Sequence, residues 1–314
     1  MKVIVLGAVF VDIKGYPHGK YIPDGRNAGQ VFTVHGGVAR NIAEDVANLG
    51  LTTTFLSLVD RTGIGQDVLT WLENQGIDTS YIEKTDDGMG TWLAIFDENG
   101  DVAGSISKRP DLMRLDGILA ERGDEIFDGA SSVLLEFDLD RETVEHTLAL
   151  AKKHNVRVYG AVSNMAIAME RRELMPQLSC FVCNLQEAGQ LFNQNFENMD
   201  ESALQSVLLE NAGNMGIRRM VVTMGERGSV YLIPGKGISG FCPAEHVHTV
   251  DTTGAGDSFF AGLSSALTCG VCLPESCAFA THIAATVIGT TKNVCPRIPF
   301  SVLNSLPKEA PDAL

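Results

Sequence analysis

Residues 251–262 read DTTGAGDSFFAG, in which small residues and glycines lead into an apolar run. Gly254, Ala255 and Gly256 carry little or no side chain, so their backbone N–H groups are open to close approach. Phe259, Leu263 and Ala266 follow at helical spacing. The first N–H groups of a helix lack internal partners, and the helix dipole adds positive potential there. The stretch therefore predicts an anion site at a helix start; the alternative is a glycine-rich turn capped by Asp257.

Asp257 places a carboxylate where an anion is expected to bind. This arrangement is consistent with transfer of a phosphoryl group to a hydroxyl. The backbone N–H groups would stabilise the charge of the transferring group, while Asp257 would accept the hydroxyl proton. The helix dipole favours the ionised carboxylate, which suits a base.

Other nucleotide-binding patterns do not fit. No Gly-Lys-Ser/Thr follows the glycines, so the stretch is not a P-loop. It is not G-x-G-x-x-G either, and the first strand is followed only by Gly7. A dinucleotide oxidoreductase is therefore disfavoured.

Composition limits the class of protein. Of the 314 residues, 45% are hydrophobic and 20% charged, as in an ordinary globular core. The net charge of −15 disfavours nucleic acid and anionic membranes as partners. No apolar run is long enough for a transmembrane helix. Seven cysteines, an odd number, indicate a reducing, cytoplasmic location. The pairs Cys180/Cys183 and Cys269/Cys272 leave zinc or buried free thiols as alternatives.

Strand-like and helical segments alternate along most of the chain. VIVLGAVFVD, TTTFLSLVD, SSVLLEFDL, VRVYGAV, SCFVCN and IRRMVVTMG are typical of buried strands. Helical patterns lie between them, one of which ends at Gly50. This order predicts an α/β fold with a mainly parallel sheet flanked by helices.

Two segments, 12–34 and 89–108, interrupt the alternation. In the second, two strand-like runs flank the turn sequence of residues 97–100. No crossover helix follows, so we expect an antiparallel small sheet that covers one end of the core. Without linkers or repeats, residues 1–314 are predicted to form a single domain that carries this lid.

Five motifs, in order, resemble those of the ribokinase-like (PfkB-type) carbohydrate kinase family. DTTGAGDSFFAG is similar to the C-terminal signature of that family, and HGGVARNIAEDVANLG at residues 35–50 to its N-terminal signature. Asp12 follows the first strand, Asn184 to Glu187 match N-x-x-E, and VVTMGERG at 221–228 matches a nucleotide element. The resemblance covers residues 7 to about 297.

The resemblance implies a ribokinase-like fold with a β-lid, a homodimer formed through the lid, and ATP with Mg²⁺ as cofactors. Asp257 would be the catalytic base, and the backbone of Gly254, Ala255 and Gly256 the anion hole. The small-molecule sugar or nucleoside would be bound by Asp12, Gly36, Gly37 and Asn41. Asn184 and Glu187 would position the phosphates and, through water, Mg²⁺. Thr223, Gly225 and Gly228 would lie along the nucleotide.

Three further candidates have structural alternatives. Glu136, at the end of SSVLLEFD, is a substrate-site candidate because ligands bind at the C-terminal edge of parallel sheets. His282 is a candidate for the adenine pocket or a structural residue on a helix face. Asp251 contributes to a monovalent-cation site or caps the turn. Asp12 and Asn41 taken alone would be a turn and a cap, and Glu187 alone a first-turn glutamate.

Two segments depart from the ribokinase pattern, one related to substrate specificity and one to potassium activation. Residues 36–41 read GGVARN, which resembles pseudouridine kinases and nearby nucleoside kinases more than pentose kinases. Residues 291–294, TKNV, replace a loop associated with potassium activation. The predicted function is ATP-dependent phosphorylation of a hydroxyl of a sugar or ribosyl compound, with pseudouridine or a related nucleoside favoured. The alternatives are a ribokinase-, fructokinase- or 2-keto-3-deoxygluconate-type kinase, or a non-catalytic sugar- or nucleotide-binding relative.

Overall fold

A computed structural model describes residues 1–309, so residues 310–314 of the predicted domain lie outside it. In that range a large sheet has the strand order β13-β12-β11-β10-β9-β8-β1-β4-β5. Its central strands, from β11 to β5, are parallel, and β12 and β13 are added antiparallel at one edge. The strands are β1 (Lys2–Leu6), β4 (Thr52–Asp60), β5 (Ile82–Thr85), β8 (Ala130–Glu136), β9 (Arg157–Ala161), β10 (Cys180–Asn184), β11 (Met220–Thr223), β12 (Ser229–Ile233) and β13 (Ile238–Cys242).

Helices cover both faces of this sheet. One face is covered by α1 (Val38–Asn48), α2 (Gly63–Asn74), α8 (Ala255–Thr268), α9 (Leu273–Ile288) and α10 (Phe300–Ser305). The other is covered by α3 (Arg114–Phe127), α4 (Arg141–His154), α5 (Met165–Ala168), α6 (Leu185–Phe192) and α7 (Glu201–Asn214). The predicted α/β fold is confirmed. Among residues 1–309 no helix is both long and apolar enough to cross a membrane.

The first strand shows why a continuous apolar run forms the centre of the sheet. Val3 and Val5 pack into the core under α1 and α8, whereas Ile4 and Leu6 pack into the core under α3 and α4. Because successive side chains point to opposite faces, a strand covered on both sides must be apolar at every position.

The prediction of one strand over VIVLGAVFVD is wrong. β1 ends at Leu6, and residues from Val9 onward form β2 (Val9–Pro17) of a separate small sheet. The break is at Gly7, where a Cβ would lie 2.4 Å from a Glu136 carboxylate oxygen, and at Ala8, whose N–H donates to that carboxylate at 2.7 Å. A side-chain contact therefore replaces a ladder hydrogen bond and redirects the chain, which hydrophobicity alone does not reveal.

The small sheet, called the lid sheet below, has the order β3-β2-β6-β7. Its other strands are β3 (Gly29–Gly36), β6 (Met89–Phe96) and β7 (Val102–Lys108). β6 and β7 form the predicted hairpin around residues 97–100. The pairing of β2 with β6 is parallel, however, so the lid sheet is mixed rather than wholly antiparallel.

The register divides the lid sheet into two chemically different faces. Asp12 pairs with Val34 on one side and with Trp92 on the other, so these three share a face. Asp12 also lies against Gly36, and we call this the inner face. The outer face carries apolar side chains, namely Ile13, Val31, Leu93, Ile95 and Ile106.

The cysteine pairs occupy core positions. Cys180 and Cys183 are buried in β10, and their side chains lie on opposite faces of the sheet. They therefore cannot ligate one zinc ion together, and the buried-thiol alternative holds for this pair. Cys269 follows the last residue of α8, and Cys272 precedes the first residue of α9.

Candidate active site

The anion-site stretch lies at the start of α8. Gly254 precedes the helix with φ +82°, and a Cβ there would lie 2.1 Å from the carbonyl oxygen of Asn293. Only glycine fits both the backbone angle and the close contact. Gly256 is exposed, and an added Cβ there would meet nothing within 4 Å. A helix N-terminus is thus exposed where an anion can approach.

Asp257 is in the first turn of α8 and is held by the N-terminal signature. The amide of Asn41 donates to its Oδ2 at 2.7 Å. Asn293 donates at 2.9 Å to Oδ1 of the same Asn41, and the guanidinium of Arg40 also donates to that oxygen. Two donors on Oδ1 leave the NH₂ group of Asn41 directed at Asp257. The signatures, 216 residues apart, therefore meet in one network.

Arg40 is the buried cation of this network, with 2% of its surface exposed. It pairs with Glu44 at 2.7 Å and donates from Nε to the Gly36 carbonyl at 3.1 Å. The indole N–H of Trp71 donates to the same Glu44 carboxylate at 3.0 Å. Because Arg40 is paired and hydrogen-bonded, it can stay charged in the core near Asp257 without being an isolated buried charge.

Burial raises the pKa of Asp257 from 3.8 to about 6, against the opposing effects of the Asn41 hydrogen bond and the Arg40 charge. Burial also raises the pKa of Asp45 to about 7; this carboxylate accepts from Ser258 Oγ at 2.7 Å and Cys295 N–H at 2.6 Å. Asp257 is thus a stronger base than an exposed aspartate and remains ionised at neutral pH, as general-base catalysis requires.

We expect a kcat profile with an acid limb near pH 6. A protonated Asp257 cannot accept a proton, so if this carboxylate is the base, kcat should fall about tenfold for each pH unit below its pKa. The measurement is initial rate against pH between 5 and 8 at saturating substrates.

The acid limb of the kcat profile should shift when the positive charge of Arg40 is removed. Arg40→Met combined with Glu44→Leu deletes both charges of the buried pair, so neither is left uncompensated. Loss of the Arg40 charge disfavours the ionised form of Asp257, and the limb should shift to higher pH. An acid limb that stays at the same pH would mean that a group other than Asp257 is responsible for it.

Asp12, Gly36 and Gly37 lie together beside this network. A Cβ on Gly36 would lie 2.8 Å from the Asp12 carboxylate, and burial raises the pKa of that carboxyl. Gly37 has φ +100°, and a Cβ there would lie 2.8 Å from the Ala8 carbonyl oxygen. The two glycines let the turn between β3 and α1 pass against β2, which brings Asp12 towards Arg40.

Glu136 is at the C-terminal edge of the sheet, as predicted, but its carboxylate is buried and accepts from Ala8 N–H. Burial raises its pKa, and the nearby Asp138 adds to this effect. Asp138, not singled out from the sequence, accepts from Ser163 N–H and Oγ at 2.8 Å each. Arg109, the residue after β7, approaches Asp138 at 3.4 Å and thus connects the lid sheet to the core.

A cavity of about 150 Å³ lies on the other side of the α8 start. Thr223, Gly225 and Gly228 line it, together with a largely apolar wall of Phe259, Ala284, Ala285 and Ile288. His282 does not line this cavity. It is exposed and lies 3.1 Å from Glu245, which does, so the structural alternative for His282 describes its position better.

Asn184 and Glu187 form a reciprocal cap at the start of α6. Asn184 Oδ1 accepts from Glu187 N–H, and Glu187 Oε2 accepts from Asn184 N–H, both at 2.8 Å. Burial raises the pKa of Glu187, and Asp138 contributes as a like charge. Asp251 accepts from Thr253 N–H at 2.8 Å, a contact that orients the turn before Gly254.

Four residues of the network were missed from the sequence: Arg40, Asn293, Asp45 and Asp138. Arg40 lies inside the N-terminal signature, so its position next to Asn41 was a usable signal. Asp45 lies in the same signature and Asn293 in the segment 291–294, but neither role was predicted, because each depends on a contact 213 or 252 positions away.

Comparison with known proteins agrees with this geometry. Residues 1–296 match the family described as pfkB family carbohydrate kinase. The chain is 33% identical over 293 residues to a guanosine-inosine kinase of Exiguobacterium acetylicum, covering 93% of this chain and 96% of the relative. It is 25% identical to the pseudouridine kinase of Escherichia coli strain K12, covering 98% and 97%. The structure of Arabidopsis thaliana ribokinase complexed with ribose and ATP superposes with a TM-score of 0.81 at 20% identity, covering 97% and 98%.

Proposed function

The chain belongs to the pfkB family of carbohydrate kinases and is a sugar or nucleoside kinase; from this premise we propose that Asp257 is the base that accepts the proton of the acceptor hydroxyl. The backbone N–H groups of Gly254, Ala255 and Gly256 bind the transferring phosphoryl group. Asp12, Gly36, Gly37 and Asn41 bind the substrate. Glu136 shapes the substrate site by accepting a hydrogen bond from the Ala8 N–H.

The contact between Asn41 and Asp257 carries this proposal. It places a substrate-site amide 2.7 Å from a carboxylate at the start of the anion-binding helix. A hydroxyl held near Asn41 is therefore within reach of Asp257 and of the N–H groups of Gly254 and Gly256 in the same turn, while the Ala255 N–H must exchange its bond to the Thr252 carbonyl (3.2 Å) to join them. Proton acceptance and charge stabilisation can then act on one transferring group.

The cavity beside α8 fits the base of ATP, the nucleotide that the family uses. Its wall is largely apolar, and Gly228 has no room for a side chain, since a Cβ would lie 2.1 Å from the Cys242 carbonyl oxygen. Thr223 and Gly225 lie between this cavity and the C-terminal edge of the sheet. We place the nucleotide here, with its phosphates directed at Gly256.

Mg²⁺ fits the site only together with phosphates. Within residues 1–309 no group of three or more acidic, histidine or cysteine side chains is arranged to hold a metal. Glu187 uses one carboxylate oxygen in its cap and can offer the other to a hydrated ion. Mg²⁺ commonly binds through one carboxylate, waters and substrate phosphates, and when bound it neutralises phosphate charge. The role of Asp251 is to orient the turn, and a monovalent cation next to it remains the alternative.

A ribosyl compound is the favoured acceptor. The GGVARN signature supplies Arg40, whose hydrogen bond orients Asn41, and the relatives named above include two nucleoside kinases. The test is a coupled ADP-release assay with inosine, guanosine, pseudouridine, ribose and fructose. ADP release that depends on an acceptor supports the proposal. NAD binding without ATP turnover would contradict the kinase function.

The outer face of the lid sheet supports a homodimer. Val31 and Ile106 are 71% and 70% exposed, and Leu93 and Ile95 lie between them on the same face. A row of apolar side chains across three strands is typical of a surface covered by a partner. A second copy of the chain, with the same apolar face, is the simplest such partner.

Ile106→Asp should convert this dimer to a monomer, because it buries a charge in an apolar contact. Light scattering after size-exclusion chromatography measures the mass. Ser105→Asp adds the same charge to the inner face of the same strand and should leave the dimer intact. A wild-type chain that is monomeric at micromolar concentration would contradict the proposal.

A reducing, cytoplasmic location is consistent with the seven free thiols of the described residues. Burial raises the pKa of the Cys180 thiol to about 12, so this group stays protonated and unreactive.

A further inference from the structure

Resting on the kinase function proposed above, we infer that the inner face of the lid sheet is a binding subsite for an aromatic base attached to the acceptor sugar, with Trp92 as the surface on which the base stacks. The acceptor class is then a nucleoside rather than a free pentose.

Strand register places Trp92 at the sugar site. Trp92 in β6 is the direct partner of Asp12 in β2, and partners in adjacent strands point to the same face. Neighbouring strands are separated by about 4.8 Å. The indole therefore lies beside the carboxylate proposed to bind sugar hydroxyls.

Further aromatic rings extend this surface away from Asp12. The Phe96 ring lies 6.4 Å from Trp92 at an interplanar angle of 90°. Phe96 stacks on Tyr16 at 4.6 Å and 11°, and Tyr16 meets Phe32 edge-on at 5.9 Å. The perpendicular Phe96 stabilises the indole without taking the parallel position that a base would occupy.

Charge and exposure leave the indole available to a ligand. Trp92 is half-buried, and Lys14 Nζ lies 6.0 Å from its ring centroid, at the outer limit of a cation–π contact. Lys14 and Tyr16 both interact electrostatically with Asp251, so this part of the inner face lies near the turn that precedes α8. Phe32 and Val34 on the same face are 49% and 38% exposed, which leaves room for a ligand.

The length of the surface distinguishes a nucleoside from a pentose. Asp12 and Tyr16 are four residues apart on β2, a distance of about 13 Å at ~3.3 Å per residue. A free pentose held at Asp12 is too short to use the aromatic surface beyond Trp92. A ribosyl group that carries a planar base can bind Asp12 with its hydroxyls and Trp92 with its base.

The lid dimer does not account for these rings. The exposed residues proposed for the dimer are on the outer face, whereas Trp92, Phe96 and Tyr16 share the inner face with Asp12. The rings of Tyr16, Phe32, Trp92 and Phe96 are all on the inner face, whereas the exposed residues proposed for the dimer are aliphatic. This division is expected if one face binds protein and the other stacks on a base.

The first test compares inosine with ribose in Trp92→Leu. Stacking of a base on an aromatic side chain is worth about 1–3 kcal/mol, which corresponds to a rise in KM for inosine of roughly 5- to 150-fold. KM for ribose should change less than about threefold, and kcat for inosine should change little, because Trp92 does not contact the reacting atoms. Trp92→Phe should restore most of the inosine affinity.

A binding measurement removes the dependence on turnover. The chain has two tryptophans, Trp71 and Trp92, so Trp71→Phe leaves Trp92 as the only indole reporter. Inosine should quench its fluorescence, and ribose should not. Thermal unfolding of each variant identifies any that fail to fold, and in that case the fluorescence of Trp71→Phe decides.

The outcomes separate the subsite from the proposed function. Equal KM increases for inosine and ribose, or no quenching by inosine, would overturn the subsite. Phosphorylation of ribose but not of nucleosides would overturn it and leave the kinase function intact. Quenching by inosine without phosphorylation of any acceptor would support the subsite and overturn the kinase function.

Discussion

Asp257→Asn is expected to lower kcat by about 10²- to 10⁴-fold, the range for loss of a positioned general base. Asparagine keeps the size of the side chain, and its carbonyl oxygen can still accept the Asn41 hydrogen bond. It cannot accept a proton from the acceptor hydroxyl. KM for ATP should change little, because the nucleotide cavity lies on the other side of the helix start.

The same substitution should not destabilise the protein at neutral pH. Burial raises the folded-state pKa of Asp257, so the folded state binds a proton more tightly than the unfolded state between pH 3.8 and about 6. Stability therefore falls as pH rises through that window. Above it the ionised carboxylate is less favourable in the folded protein than a neutral group, and a neutral asparagine avoids this cost.

Stability and kcat should consequently move in opposite directions in this variant. The measurements are kcat by ADP release and the unfolding free energy by urea titration at pH 7.5. A variant with low kcat and clearly lower stability would attribute the loss of activity to misfolding, and unchanged kcat would remove Asp257 from the mechanism.

Gly254→Ala should lower kcat by about 10²-fold or more, the scale for loss of anion-hole donors. Gly254 has φ +82°, and an added Cβ would lie 2.1 Å from the backbone carbonyl oxygen of Asn293. The helix start and the Asn293 loop must move apart to accommodate it. That movement displaces the N–H groups of the anion site and loosens the Asn293 contact with Asn41. We also expect a loss of about 1–3 kcal/mol of unfolding free energy.

Gly256→Ala is the matched control for stability. Its Cβ would meet nothing within 4 Å, and the residue lies inside α8. Alanine in a helix is more stable than glycine by about 0.5–1 kcal/mol, so this variant should unfold at equal or higher temperature. Its effect should appear in KM for ATP, because Gly256 lines the nucleotide cavity. A Gly254→Ala enzyme as active as wild type would contradict the assignment of the anion hole.

The sequence predicted the elements whose pattern is local. β4 has the bounds expected from TTTFLSLVD, because a strand buried on both faces is visible as one continuous apolar and β-branched segment. The break after Leu6 was not predicted. It depends on the carboxylate of Glu136, which is far away in sequence, and the apolar run continues unchanged through Gly7 and Ala8.

For the site, glycine-rich motifs were more informative than single polar residues. Gly37 and Gly254 have positive φ and no room for a Cβ, so only glycine fits at these positions and the motif is visible in the sequence. No such backbone constraint applies to His282, and this residue lies outside the cavity proposed for the adenine base. The two faces of the lid sheet also could not be predicted, since the parallel pairing of β2 with β6 decides that Trp92 lies beside Asp12.

We propose that this chain transfers the γ-phosphoryl group of ATP to a hydroxyl of a ribosyl compound, with Asp257 as the base. The most direct measurement is mass spectrometry of the acceptor after incubation with Mg²⁺ and ATP labelled with ¹⁸O in the γ-phosphoryl group, for wild type and Asp257→Asn. We predict an acceptor heavier by one labelled phosphoryl group, formed in equal amount to ADP and nearly absent with the variant. Release of labelled inorganic phosphate with an unmodified acceptor, or equal product from both proteins, would contradict the account.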